Sequence, residues 1–351
     1  MVEEGLSTMR TFVQKLKLLK AGVISWEKQQ KASDLEDLEA IESDIAAILL
    51  GNPFGISSMR ERVQLARLID SQNTILKRKE ETSFQKSRLK WIESGDRNTK
   101  YYHQFANHRR IHNHIWDLQA VDGTTITNQG DIEKEAYAYF KNAYKAQGDL
   151  SIISQLELIQ KYPLMFGEEA GNKLFDPVSL KEIHTTLKGF ELSKSPGSDC
   201  WTVEFFLHFF DLMGPKLHAL VEEPRIQGQV CGSLNSTFVA LIPKSDKPDS
   251  FAGFRPISLC NLVYKIISKI IAVRLKNGLS MGMSDEQFGF LENRQITDAI
   301  AVTQEFLHGV KIKRKKALVL KLDLIKAYDR VDWRFIRLVL LQIGILLDTT
   351  N

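Results

Sequence analysis

Residues 317–329 read ALVLKLDLIKAYD, and the fold turns on how this stretch is read. Ala317 to Leu320 are apolar and two leucines flank Asp323, so the run predicts a buried strand with a carboxylate near its far end. Burying an ionised carboxylate is unfavourable unless it is paired, hydrogen-bonded or holding a metal. Lys321 and Lys326 could pair with it, which is the structural reading. Tyr328, five residues on at the turn into a helix, opens a chemical one: its ring could floor a substrate pocket beside the carboxylate.

Working upstream, the texture from residue 235 is short strands and helices in alternation. STFVALIPK predicts a strand broken by Pro243, FRPISLC an irregular loop, and LVYKIISKIIAVRLKNGL an apolar helix stopped at Gly278. QITDAIAVTQEFLHGV predicts a further helix, and WRFIRLVLLQIG a last one ending at Gly344. Lys244 and Arg255 follow strand-like stretches and suit phosphate, lysine as a mobile point charge and arginine as a planar fork. A carboxylate, an aromatic plate and two phosphate-binding cations are what nucleotidyl transfer needs, although one aspartate cannot hold two metal ions.

The N-terminal third is helical in pattern. Phe12, Leu16, Leu19, Val23 and Trp26, then Leu35, Leu38, Ile41, Ile45 and Ile48, recur at spacings of three and four on either side of a polar break at KQQKASD. Two helices packed as a hairpin are expected there. The chain is helical again from residue 56 to the turn at ESGDRN, and HNHIWDLQAVDGTTITN then predicts a small β-hairpin. LSKSPGSDC, residues 192–200, predicts a Pro-Gly turn between helices.

Charge is uneven. Residues 76–115 hold ten Lys and Arg against four acids, with Trp91, Tyr101, Tyr102, Phe105 and half of the histidines, whereas the chain as a whole is only +4. Lys86, Arg88, Lys90, Arg97, Lys100, Arg109 and Arg110 are the candidate phosphate contacts, and the aromatics could stack on unpaired bases. The plainer reading is a solvated helix whose aromatics face a core. His108 and His112 have the spacing of metal ligands on a helix, but no cysteine or acidic cluster completes a set.

The composition, 43% hydrophobic and 26% charged, is that of a globular protein. No apolar run approaches the roughly 20 residues of a membrane span, and MVEEGLSTMR is acidic where a signal peptide is basic. An intracellular protein, nuclear or cytoplasmic, without membrane contact is expected. Three dispersed cysteines fit reduced thiols rather than a disulfide framework.

With these residues in view the chain resembles the reverse transcriptase of non-LTR (LINE-type) retrotransposons, especially those of plants. RLKWIESGDRNTKYYHQFANHRR looks like the basic segment that follows the endonuclease in that family, and LSKSPGSDC is similar to its Lys-Ser-Pro-Gly-Pro-Asp-Gly motif. LNSTFVALIPK and FAGFRPISLCNLVYKIISKIIAVRL resemble its fingers, DEQFGFLENRQITDAI the stretch that follows, and KLDLIKAYDRVDW its first palm motif. The resemblance implies an α+β architecture: a mainly helical N-terminal region, then a partial right-hand polymerase fold with fingers and the start of the palm. The expected divisions are a helical hairpin region at 1–75, a basic helical segment with a small hairpin at 76–150, a helical connector with the SPGSD turn at 151–224, and the partial polymerase domain at 225–351.

The resemblance also implies roles. Asp323 matches the first catalytic metal ligand, for Mg2+; Tyr328 the aromatic under the sugar that excludes a 2′-hydroxyl; Lys244 and Arg255 the residues that hold the incoming dNTP triphosphate. An RNA template and a DNA primer are the implied partners. Asp329 falls on the helix side of the motif and reads as structural. The other two metal-binding carboxylates of that family form an Asp-Asp pair in a later palm hairpin, and this sequence contains no Asp-Asp dipeptide. Cys200 and Ser198 stand where the motif has glycine and proline, Glu292 and Asn293 where a small turn is usual, and ILLDTTN departs from the Gly-Phe continuation. The expectation is a truncated reverse transcriptase fragment without its endonuclease, inactive alone. The alternative is a non-catalytic nucleic-acid-binding protein using residues 76–115.

Overall fold

The computed structural model describes residues 2–52, 55, 58–87, 99–120, 123–145, 151–289, 291, 294–320, 322 and 327–345. The chain divides into two compact units, one of residues 14–129 with 242–255 and the other of residues 1–13, 130–241 and 256–351. Thirteen helices and four short strands among the described residues make the mixed, mainly helical architecture expected of the α+β class.

In the first unit the polar stretch KQQKASD does not interrupt the helix. α1 (Val2–Gly51) runs straight through it. The stretch is polar but contains neither glycine nor proline, and its side chains bond along the helix: Lys31 to Glu27, Gln30 to Asp34 at 3.0 Å and Ser33 to Asp37 at 3.2 Å. The expected pair of helices within residues 5–50 is therefore one helix, and the chain reverses after Gly51 into α2 (Met59–Ser87). Arg78 of α2 reaches back to Asp34 of α1 at 3.0 Å.

α3 (Thr99–His112) packs on α2 through Phe84 and Tyr102, whose rings meet edge to face 5.7 Å apart. The small hairpin forms as expected from β1 (Leu118–Gln119) and β2 (Thr125–Ile126), antiparallel, with Gly123 at φ 85° in its turn. The Gln119 N–H donates to the Asp249 carbonyl at 2.8 Å, so the hairpin lies beside the loop of residues 244–253.

The second unit is built on α4 (Gln129–Ala143), α5 (Ile152–Ile159), α6 (Glu168–Lys173), α7 (Leu180–Lys188), α8 (Val203–His208) and α9 (Phe210–Gln227). β3 (Thr237–Pro243) and β4 (Phe254–Cys260) follow, and then α10 (Leu262–Gly282), α11 (Ile296–Ile312), α12 (Ala327–Arg330) and α13 (Trp333–Gln342). Ile183 and Leu187 of α7, Phe206 of α8, Leu217 and Leu220 of α9 and Val263 and Ile266 of α10 are fully enclosed and form the main core.

FRPISLC is not an irregular loop: it is strand β4, paired with β3. Pro256 is tolerated because, among the described residues, each strand of this sheet has one partner, which leaves an edge where no N–H is needed. The ten-residue connection is too short for a parallel crossover, so the pair is a hairpin.

α10 also runs past Gly278, its expected stop, to Gly282. Gly278 is there for packing: a Cβ on it would overlap the Phe166 ring. Phe166, Ile343 and Ile345 form a second apolar cluster with Leu275, Leu279, Val339 and Leu340 around them. The Ile343 carbonyl accepts from the N–H groups of both Met165 and Phe166, at 3.0 and 2.9 Å. Gly344, at φ 99°, ends α13 where the sequence predicts, and a side chain there would run into the Phe166 carbonyl.

The strand expected at 317–324 is not formed among its described residues. Residues 315–320 and 322 have no regular structure, and Leu318, 93% exposed, and Leu320 face solvent. A strand needs a ladder partner, and among the described residues neither sheet pairs with this stretch. Asp323, Lys321 and Lys326 lie outside the described residues. Among the described residues no helix is long and apolar enough to cross a membrane.

Candidate functional site

The β3–β4 hairpin positions two of the candidate residues. Lys244 directly follows the last residue of β3, and Arg255 is the second residue of β4, so both sit at the turn end of the hairpin with exposed side chains. The Lys244 N–H donates to the Gly253 carbonyl at 2.9 Å, and its Nζ donates to the Ala252 carbonyl at 2.8 Å. Buried Phe251 and Phe254, 6.2 Å apart, anchor the loop from below. Gly253 is required by close approach, since a Cβ on it would lie 2.7 Å from that of Pro248. Arg255 has no ion-pair partner among the described residues. The result is two cations on one rigid turn, a suitable grip for a polyanion.

Tyr328 stands on the short helix α12 in the other unit, 82% exposed. Its neighbour Asp329 acts on Tyr144 at the end of α4: partial burial and, after it, the Asp329 charge push the Tyr144 phenol above its ordinary value. Tyr328 and Asp329 are thus displayed on a described helix, whereas Asp323 falls outside the described residues.

The basic segment is displayed in part. Lys86, in the last turn of α2, and Arg109 and Arg110, in the last turn of α3, are exposed, and Arg109 donates to the Ser87 carbonyl at 3.3 Å. Arg88, Lys90 and Arg97 lie outside the described residues; Lys100 is in α3, with only its backbone described. The aromatics divide between the two readings: Tyr102 is buried against Phe84, while Tyr101 stacks on Phe105 at the half-buried surface of α3.

Sequence reasoning missed the role of Asn261. This residue precedes α10 and reads as an ordinary helix cap, yet its side chain makes no cap bond. It is 1% exposed and holds the SPGSD turn instead: Oδ1 accepts from Ser198 Oγ at 3.1 Å and the Asp199 N–H at 3.0 Å. Its Nδ2 donates to the Ser233 and Leu234 carbonyls at 3.1 and 3.3 Å. Gly197 has no room for a Cβ, which would sit 2.5 Å from Asn261 N and Oδ1. Cys200, at the motif's last position, adopts φ 68°, the left-handed region natural to glycine.

Arg274 was also missed. From α10 it forks onto Glu182 at 2.8 and 2.7 Å and donates to the Leu174 and Asp176 carbonyls. Away from these, Glu222 is held below the usual carboxylate range. Burial pushes it up, but bonds from Arg225 and the Val178 N–H outweigh that.

No group of three or more histidine, cysteine or carboxylate side chains that could hold a metal occurs among the described residues. The donor set of this chain, one candidate aspartate without an Asp-Asp pair, does not make a two-metal site.

Residues 242–345, from the end of β3 to the end of the Phe166 cluster, match the reverse transcriptase family of RNA-dependent DNA polymerases. Lys244, Arg255, Asp323 and Tyr328 all fall within the match. Over 254 residues, 72% of the chain, the sequence is 28% identical to the transposon TX1 uncharacterized 149 kDa protein of Xenopus laevis. Over 178 residues, 50% of the chain, it is 25% identical to the retrovirus-related Pol polyprotein from type-1 retrotransposable element R2 of Popillia japonica. The chain spans only 19% and 24% of these two proteins. Both similar proteins are products of transposable elements, and the family match puts the similarity to reverse transcriptases in residues 242–345.

Proposed function

We propose that the chain is the N-terminal helical and basic segment, fingers and first palm motif of a plant-type LINE reverse transcriptase. The reaction of that lineage is RNA-templated extension of a DNA 3′-hydroxyl by attack on a dNTP, with magnesium offsetting charge on the attacking and leaving oxygens. In this reading Lys244 and Arg255 hold the triphosphate, Tyr328 lies under the sugar and Asp323 is the first metal ligand. The observation that carries it is the family match across residues 242–345, supported by the two cations on the β3–β4 turn. A polypeptide of these 351 residues is proposed to bind but not to polymerise, because one carboxylate cannot clamp both reacting oxygens.

The test is dNTP incorporation by the purified chain on a primed RNA template with magnesium. No template-dependent product is expected; incorporation that Asp323→Ala abolishes would overturn the inactivity and place a complete site in these residues.

A further inference from the structure

An open cleft of about 600 Å3 lies between the middle of α1 and the C-terminal half of α2, inside the unit of residues 14–129 with 242–255. Trp26 of α1 lines it and is 61% exposed, an unusual placement for the largest apolar side chain. Arg78 and Lys79 of α2 line it too, and His103 of α3 contributes its ring, 3.4 Å from Ser83 Oγ.

Two carboxylates line the cleft, and both are already answered. Glu27 bonds Lys31; Asp34, 7% exposed, accepts from Arg78 and Gln30 at 3.0 Å each. Arg78 uses Nη1 for that pair while about half of its side chain, 48%, stays exposed. Lys79 has no ion-pair partner among the described residues. Lys86, seven residues and two turns further along α2, lies on the same helical face, and Arg109 bonds the Ser87 carbonyl at that end. The positive charge therefore continues out of the cleft along one helix.

An exposed indole beside cations whose local acids are neutralised matches one ligand chemistry well. An unpaired base offers a flat face for the indole, and its phosphate meets the cations. A duplex keeps its base faces inside the stack and leaves the indole unused, and an acidic peptide engages only the charges. We propose that the α1–α2 cleft binds single-stranded RNA, with a base on Trp26 and the adjoining phosphates on Arg78 and Lys79. This deepens the template-binding part of the function proposed above and rests on that reading.

The experiment is fluorescence anisotropy of the full chain with a labelled single-stranded RNA of about ten nucleotides, at low and moderate salt. Trp26→Ala is expected to weaken binding about 10-fold, and Trp26→Phe to retain most of the affinity. Lys79→Ala should weaken it and flatten the salt dependence. Duplex RNA should bind with no dependence on Trp26. Unchanged affinity of a folded Trp26→Ala variant would overturn the cleft. If Arg109→Ala with Arg110→Ala weakens binding while Trp26→Ala does not, the cleft falls and the nucleic-acid reading stands. If the wild-type chain binds no RNA at low salt, both fall. A poly-glutamate peptide displacing the RNA equally from wild type and Trp26→Ala would also overturn the assignment to RNA.

Discussion

Cys200 shows what a single backbone angle can record. The chain leaves the SPGSD turn through a residue in the left-handed region, and Cys200 supplies φ 68° against the steric cost that a Cβ incurs there. Cys200→Gly is therefore expected to stabilise the protein by about 0.5–1 kcal/mol, the relieved strain less the added freedom of the unfolded chain. Equilibrium denaturation of the two proteins checks this, and a destabilised glycine variant would show that the turn is not held as described. The cysteine was legible in the sequence as a departure from a glycine-ended motif, and its structural meaning follows from the angle. Asn261 was not legible, because a polar residue before an apolar helix has a common local explanation. Its actual partners, Ser198 and Asp199, lie more than 60 residues away, and no local pattern carries that information.

Helices were legible where periodicity and a terminator agreed, as for α13. They were misjudged where one signal was taken alone. The polar KQQKASD was read as a break although each of its residues is compatible with a helix, and Gly278 was read as a stop although glycine inside a helix can instead mark a close approach. Gly278→Ala tests the second point. On an open helix face alanine would stabilise, by about 1 kcal/mol. Here the methyl group meets the Phe166 ring, so a loss of about 1–3 kcal/mol is expected. Thermal unfolding of Gly278→Ala alone and combined with Phe166→Leu gives the check, the second change recovering part of the loss. FRPISLC was misjudged for a related reason: proline argues against a central strand, but in a two-stranded sheet both strands are edges.

The unit containing α11 leaves much apolar surface uncovered. No residue of α11 is buried; Ile296, Phe306 and Ile312 are exposed, as are Leu318, Leu320, Tyr328 and Trp333 further on. Apolar surface on this scale favours association. The purified chain is expected to bind a hydrophobic dye and to sediment as concentration-dependent oligomers. Leu318→Lys with Leu320→Lys should reduce both without lowering the melting temperature, since neither leucine is packed; unchanged association would place the sticky surface elsewhere. Asp323 stands out in the sequence through its flanking apolar run and Tyr328, and it lies outside the described residues. The strand expected to carry it was not borne out over 317–320, because alternation and apolarity specify a strand only when another strand supplies the ladder.

The two amide bonds from Met165 and Phe166 to the Ile343 carbonyl join segments separated by nearly the whole length of their unit. Such a closure gives the unit a high contact order and a definite sequence of events during synthesis. Phe166 emerges early from the ribosome and has no Ile343 or Ile345 to meet until about 180 further residues have been added. At the translation rates of cells, about 5–20 residues per second, that wait lasts on the order of ten to forty seconds. Throughout it Phe166 remains available to chaperones, joined by the α10 face at Gly278 once that helix has been made, so this cluster closes only after Ile343 and Ile345 have been added.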